Sequence, residues 1–184
     1  MYWYLNWGKR LIDFVLAAGG LLLLSPIIAL LCVAILVVER HNPIFSQTRI
    51  GLHGAPFTLH KLRTMPPKTP DLPTHVLGEQ KISKLGQALR RAKLDELPQL
   101  FNVLVGHMSL VGPRPSLPNQ KKLISEREKL QVLRVRPGIT GLSQINGIDM
   151  SDPEKLALSD AQYTKKVALH TDLKILAETL LAHR

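Results

Sequence analysis

"LLLLSPIIALL", residues 21–31, decides how this chain meets its surroundings. It is the most apolar stretch in the sequence and holds a serine and a proline, Ser25 and Pro26, at its centre. Proline has no N–H and its ring clashes with the preceding turn, so it kinks or breaks a helix. The apolar run extends outward to Leu11 and Val38 and contains one charge, Asp13. At about 1.5 Å per residue it makes roughly 42 Å of straight helix, more than the ~30 Å hydrocarbon core of a bilayer. It is too long for the apolar part of a secretory signal, and no small-residue cleavage site follows it cleanly. We read it as a retained membrane segment.

The flanking charges bear on topology. Lys9 and Arg10 precede the run, and Arg40, Arg49, Lys61 and Arg63 follow it. The tendency of basic residues to stay inside would keep both ends cytoplasmic. A hairpin broken at Ser25–Pro26 and dipping into one leaflet satisfies that. In such a break the Ser25 hydroxyl can bond a carbonyl that the bilayer interior leaves unsatisfied. A kinked single span is the alternative, since prolines are tolerated in membrane helices. Charge and proline alone leave both open.

The chain has 184 residues and a net charge of +10, which points to anionic partners: nucleic acid, an anionic membrane surface or phosphorylated substrates. Its one cysteine, Cys32, lies in the apolar run, so no disulfide framework or cysteine zinc site forms within one chain. That fits a reducing, cytosolic side.

Beyond the anchor, residues 44–50 and 57–59 favour strand, and "GLHG" between them reads as a hairpin turn. "PPKTPDLPTH", 66–75, is a proline-dense loop. Residues 83–106 read as two short helices with a joint near Leu94–Asp95. Ser83 is the N-cap of the first, and Pro98 sits in the first turn of the second, which places Asp95 at or beside its N-cap. "SLVGPRPSLP", 109–118, is extended and turn-rich. A helix follows from 123 and stops before Pro137. "GITGLSQING" is a glycine-punctuated loop, and "SDPE", 151–154, reads as a capping box. The last segment is amphipathic, with Leu173, Leu176, Ala177, Leu180 and Leu181 on one face, suited to the core or to a membrane surface.

Three stretches offer chemistry. In "RRAKLDELPQL", Asp95 and Glu96 follow Arg90, Arg91 and Lys93. A helix N-terminus would keep Asp95 ionised, as a nucleophile or a Mg²⁺ ligand must be. An N-cap aspartate beside an exposed glutamate is the plainer reading. In "SLVGPRPS", two prolines hold Arg114 in a rigid segment where its guanidinium can grip phosphate, or simply face solvent. In "PGITGLSQING", Gln144 and Asn146 offer amides to a nucleotide or sugar, or belong to a structural loop. Lys61 and Arg63 in "HKLRTM" add basic charge. No phosphate-binding glycine loop, dinucleotide fingerprint or zinc spacing appears.

Taken in order, "KRLIDFVLA" with "LLLLSPIIA", "SQTRIG", "HKLRTM", "KLDELPQLFNVLVGHMSLVGPRP" and "PGITGLSQING" resemble the bacterial sugar transferase family, small monotopic phosphoglycosyl transferases. The resemblance covers nearly the whole chain, and its most specific part is the stretch around Asp95–Glu96. It implies a UDP-sugar donor, a polyprenyl phosphate acceptor and Mg²⁺ held by Asp95 and Glu96. It implies attack by Asp95 on the sugar-bearing phosphate with release of UMP, then transfer of the phosphosugar to the lipid. Lys61, Arg90 and Arg114 would neutralise phosphate charge, and Ser25–Pro26 would return the chain to the cytoplasmic face of a bacterial inner membrane. Two positions depart from the family. Ile148 stands where many members carry an arginine, and Leu142 where an aromatic is common, so Arg134 or Arg136 is expected to contact the donor instead.

The expected fold is α+β, predominantly helical with a small β-hairpin and surface amphipathic helices. Residues 1–40 form the re-entrant membrane helix and 41–184 a cytoplasmic catalytic domain at the membrane surface, in contact with anionic lipids. A homodimer is among the open oligomeric states. The rival readings are an inactive scaffold of a glycan-assembly complex and a membrane-tethered basic binding protein. A nucleic-acid partner is disfavoured, because no aromatics interleave the basic clusters.

Overall fold

The computed structural model describes residues 4–67, 69 and 82–181, so most of the expected proline-rich loop at 66–75 lies outside the described residues. A long helix, α1 (Lys9–Glu39), opens the fold. It is long and apolar enough to cross a membrane. Helical conformation carries through Pro26, so the expected break does not end the helix. The Ser25 hydroxyl donates to the Leu22 carbonyl at 3.0 Å. That is the acceptor Pro26 leaves without its usual N–H, and this local repair lets the helix continue.

Only Asp13, Ala17 and Ile35 of α1 are buried. Ala17 and Ile35 lie about five helical turns apart and therefore on one face. Both ends of that face pack against the same folded body. Ala17 joins Phe57, Leu59, Val103 and Met108, and Ile35 joins Leu62 and Leu89. Leu22, Leu23 and Leu30, between them, are exposed. The lone charge Asp13 accepts the Leu110 N–H at 3.0 Å and so fastens α1 to the body.

The expected hairpin forms from β1 (Ile44–Ile50) and β2 (Pro56–Leu62), antiparallel, with Gln47 opposite Leu59 and Phe45 opposite Lys61. Its turn holds His53 and Gly54 at positive φ, as "GLHG" leads one to expect. Next come α2 (Lys84–Arg91), a 3₁₀ turn at Leu94–Glu96, and α3 (Gln99–Leu104). Ser83 caps α2 as expected, its hydroxyl accepting the Gly86 N–H at 2.9 Å. Pro98 is the N-cap of α3, so Asp95 lies one turn upstream of the expected position.

A second, parallel pair was not expected: β3 (Ser109–Val111) beside β4 (Gly138–Thr140). Here the backbones approach so closely that a Cβ on Gly138 would lie 2.0 Å from the Gly112 nitrogen, which requires glycine. Between the strands, α4 (Lys121–Lys129) ends earlier than expected. Gln131 turns left-handed and a 3₁₀ turn, Val132–Arg134, completes the segment. Then follow α5 (Leu142–Ile145), α6 (Pro153–Lys165) and α7 (Leu169–Leu181). The cap of α6 is Asp152, whose side chain accepts the Lys155 N–H, rather than Ser151.

In α7 the packed side carries Asp172 and Ile175, while Leu173, Leu180 and Leu181 of the expected apolar face are exposed. Asp172 can be buried because three donors satisfy it: Tyr4 Oη and Lys9 Nζ at 2.6 Å and Tyr163 Oη at 2.8 Å.

Candidate functional site

α2 ends in Arg90 and Arg91, and Lys93, left-handed at φ 52°, reverses the chain into the Leu94–Glu96 turn. The turn buries Asp95 and leaves Glu96 half-buried beside it. Burial first, then the Glu96 charge, pushes the Asp95 carboxyl above the usual carboxylate range, while Lys61 and Arg90 pull it back. A helix N-terminus was expected to keep Asp95 ionised. Asp95 sits upstream of α3, and the charge that favours its carboxylate comes from Lys61 and Arg90.

Strand β2 delivers Lys61. Burial first, then the charges of Arg49, Arg114 and Arg90, pushes its ammonium down to about 8, with Asp95 opposing. The Phe45 ring lies 5.2 Å from Lys61 Nζ on the paired strand. Arg90 Nε donates to Thr64 Oγ1 at 2.9 Å, which fixes this guanidinium beside the two acids. Both terminal nitrogens of Arg114 lie 3.3 Å from Glu96 Oε1. The five expected residues Lys61, Arg90, Asp95, Glu96 and Arg114 therefore gather in one place. Three acid- and phosphate-seeking cations surround two adjacent carboxylates.

Sequence reasoning missed two neighbours. Arg49 of β1 and the buried Gln99 line the same cavity as Lys61, Glu96 and Arg114. Arg49 stands in "SQTRIG", where it was counted only as a flanking charge; the inward turn of that strand position was the signal available.

Past Arg49 and Arg114 the cavity opens into a cleft of about 380 Å³ walled by Ser143, Gln144, Ile148 and Asp149. That volume suits a nucleoside-sized group. Gln144 Nε2 donates to the Ile139 carbonyl at 2.8 Å, while its Oε1 is buried without a hydrogen-bond partner among the described residues. Asn146 is exposed at the C-terminal cap of α5 and does not line this cleft. The expectation for Arg136 fails as well: its Nε donates to the Gly106 carbonyl at 2.9 Å, at the end of α3. Arg134 is exposed and likewise outside the cleft. Ile148 packs toward Leu123, Leu156 and Ala157, and the cations that line this cleft are Arg49 and Arg114.

For a metal, Asp95 and Glu96 are the available pair. No cluster of three or more ligating side chains occurs among the described residues. Mg²⁺ characteristically takes one or two carboxylates plus substrate phosphates, so these two adjacent acids fit it.

The family model described as bacterial sugar transferase matches residues 4–183. The chain belongs to the bacterial sugar transferase family. Among its relatives, an uncharacterized sugar transferase, EpsL, of Bacillus subtilis is 41% identical, across 94% of this chain and 85% of that protein. A UDP-glucose:undecaprenyl-phosphate glucose-1-phosphate transferase of Caulobacter vibrioides is 40% identical, across 94% of this chain and 68% of its own length. The Escherichia coli protein with the same description is 36% identical, and this transferase chain spans 39% of it. The family model thus covers α1, the acid turn and the cleft wall of this sugar transferase together.

Proposed function

We propose that the protein transfers a phosphosugar from a UDP-sugar to a polyprenyl phosphate at the cytoplasmic face of a bacterial inner membrane. The observation that carries this reading is the pairing of Asp95 and Glu96 inside a ring of Lys61, Arg90 and Arg114, opening on a nucleoside-sized cleft. Two relatives whose names give UDP-glucose and undecaprenyl phosphate as substrates support the substrate classes.

Phosphoryl transfer is mostly positioning and neutralisation of charge, and the site offers both. The nucleoside enters the cleft, and the diphosphate lies along Arg49, Arg114 and Lys61. A carboxylate oxygen of Asp95 attacks the sugar-bearing phosphorus. The bond from that phosphorus to the bridging oxygen breaks, and its electrons leave with UMP. An oxygen of the lipid phosphate then attacks the same phosphorus and displaces Asp95, giving the lipid diphosphosugar. Glu96 holds Arg114 in place; Asp95 and Glu96 would hold Mg²⁺, which would supply further neutralisation of phosphate charge.

The membrane arrangement follows the same reading. Both ends of α1 pack on one body, which supports a helix that dips into one leaflet and returns. Residues 1–40 then set the depth of the catalytic part, 41–184, at the headgroup level where a lipid phosphate lies.

The test is intact-protein mass after the detergent-purified chain meets Mg²⁺ and a panel of UDP-sugars without lipid. The expected result is a gain of one phosphosugar, lost in Asp95→Asn. UMP release that persists undiminished in Asp95→Asn refutes the covalent step.

A further inference from the structure

The segment that carries Arg114 is gripped at every carbonyl. Pro113 O accepts the Gly138 N–H at 2.9 Å, and Arg114 O accepts Arg127 Nη1 at 2.8 Å. Pro115 O accepts Arg49 Nη1 at 3.1 Å, and Ser116 O accepts the Ile50 N–H at 2.9 Å. Four consecutive acceptors are thus held from β4, α4 and β1. Three of these donors belong to strands that must form anyway. The fourth, Arg127, is different in kind.

Arg127 is only 2% exposed and comes from α4. Its Nε and Nη2 donate to Asp160 Oδ2 of α6 at 2.9 and 2.6 Å. Asp160 Oδ1 in turn accepts the Ser143 hydroxyl at 2.7 Å. Ser143 begins the opposite wall of the cleft, one residue before Gln144. One buried guanidinium therefore joins the backbone of Arg114 on one wall to Ser143 on the other. Removing two charges from water offsets much of their attraction, and well-packed apolar residues often serve stability as well. A buried ion pair at this position needs another reason, and the fork geometry of arginine supplies one. It fixes two directions at once, toward Asp160 and toward the Arg114 carbonyl.

We infer that Arg127, backed by Asp160, is a positioning residue that sets the place of the Arg114 guanidinium against the cleft wall at Ser143–Gln144, and hence the fit of the donor diphosphate. This rests on the reading of Arg114 as a donor-phosphate cation. Arg127 touches no substrate; it acts through Arg114.

The test is a double-mutant cycle on the full chain in detergent, with UDP as the probe, because UDP holds the nucleoside and diphosphate common to any UDP-sugar. Binding is measured calorimetrically for the unmodified chain, Arg114→Ala, Arg127→Lys and the double variant, with a melting temperature for each. Arg127→Lys keeps the charge beside Asp160 and loses the fork, so the fold persists. The expected result is a loss of about tenfold in UDP affinity for Arg127→Lys, the middle of the range for coupled neighbours, and about twofold or less in the Arg114→Ala background. The shift in melting temperature should be the same in both backgrounds. Equal losses of affinity in both backgrounds overturn the inference, since a merely structural role is additive. Arg114→Ala that binds UDP like the unmodified chain, or an unmodified chain that does not bind UDP, overturns instead the reading on which it rests. A second variant, Asp160→Asn, should show the same dependence on Arg114.

Discussion

Lys61 should make UDP binding pH-dependent, in a direction that its surroundings fix. Its ammonium is pushed from the ordinary 10.5 down to about 8, by burial first and then by Arg49, Arg114 and Arg90. A diphosphate bound among these four cations adds negative charge beside Lys61, so UDP favours the protonated form. A group with a midpoint near 8 is about nine-tenths protonated at pH 7 and about one-tenth at pH 9. UDP affinity should then fall about tenfold between pH 7 and pH 9, with uptake of about half a proton per UDP bound at pH 8. Calorimetry in buffers of different ionisation enthalpy reads that uptake directly. Lys61→Arg keeps its charge throughout this range and should bind UDP with no proton uptake and no decline. The ligand-free chain should show the opposite slope. The unfolded lysine holds its proton up to about 10.5 and the folded one only to about 8, so the unfolded state binds more protons in that window and stability rises with pH across it. The difference corresponds to about 3 kcal/mol. UDP affinity in the unmodified chain that stays flat from pH 7 to 9, or Lys61→Arg showing the same decline, refutes the reasoning.

Three further changes probe how the fold holds the site. Asp172→Ala removes the acceptor shared by Tyr4, Lys9 and Tyr163, and stranding the Lys9 ammonium should cost about 3 kcal/mol, read as a lowered melting temperature. A melting temperature unchanged within error excludes that role. Asn102 stitches α3 to β2, its Oδ1 accepting the His60 N–H at 3.0 Å and its Nδ2 donating to the Thr58 carbonyl at 2.7 Å; Asn102→Leu should cost about 2 kcal/mol in denaturant unfolding by leaving both unsatisfied. Gly138→Ala places a methyl 2.0 Å from the Gly112 nitrogen and should cost about 3 kcal/mol or block folding, whereas Gly147→Ala meets open space and carries only the strain of its positive φ. Equal stability of the two glycine variants, measured side by side, contradicts the close approach.

Those residues also show which parts of the fold were legible in the sequence. The β1–β2 hairpin, the Ser83 cap and the joint before Pro98 were readable because each depends on a few adjacent residues whose backbone preferences agree. The β3–β4 pair was not, because each strand is three residues long and the signal is a contact between two glycines remote in sequence. Two buried charges carry no local signal: Asp172 and Arg127 are satisfied by partners far along the chain, which no local pattern reveals. At the site, the acids and three cations were legible as a group because the family resemblance ties them together. Arg49 and Gln99 were not, since only the pairing of β1 with β2 and the approach of α3 bring them to Lys61.

Strand β2 is where α1 and the candidate site meet. Successive side chains on a strand point to opposite faces, so Leu59 and Lys61 share one face and Leu62 takes the other. Leu59 joins the cluster around Ala17, and with Lys61 it lines the cavity beside Glu96 and Arg114. Leu62, fully buried, packs on Ile35 near the far end of α1. One seven-residue strand therefore rests on both ends of α1 and holds Lys61 between them. Asp13 adds a second tie through Leu110, on the strand that leads into Pro113 and Arg114. A tilt or shift of α1 is thus passed to Lys61 and Arg114 through packed side chains and a backbone hydrogen bond. A close-packed interior transmits such displacements and does not absorb them.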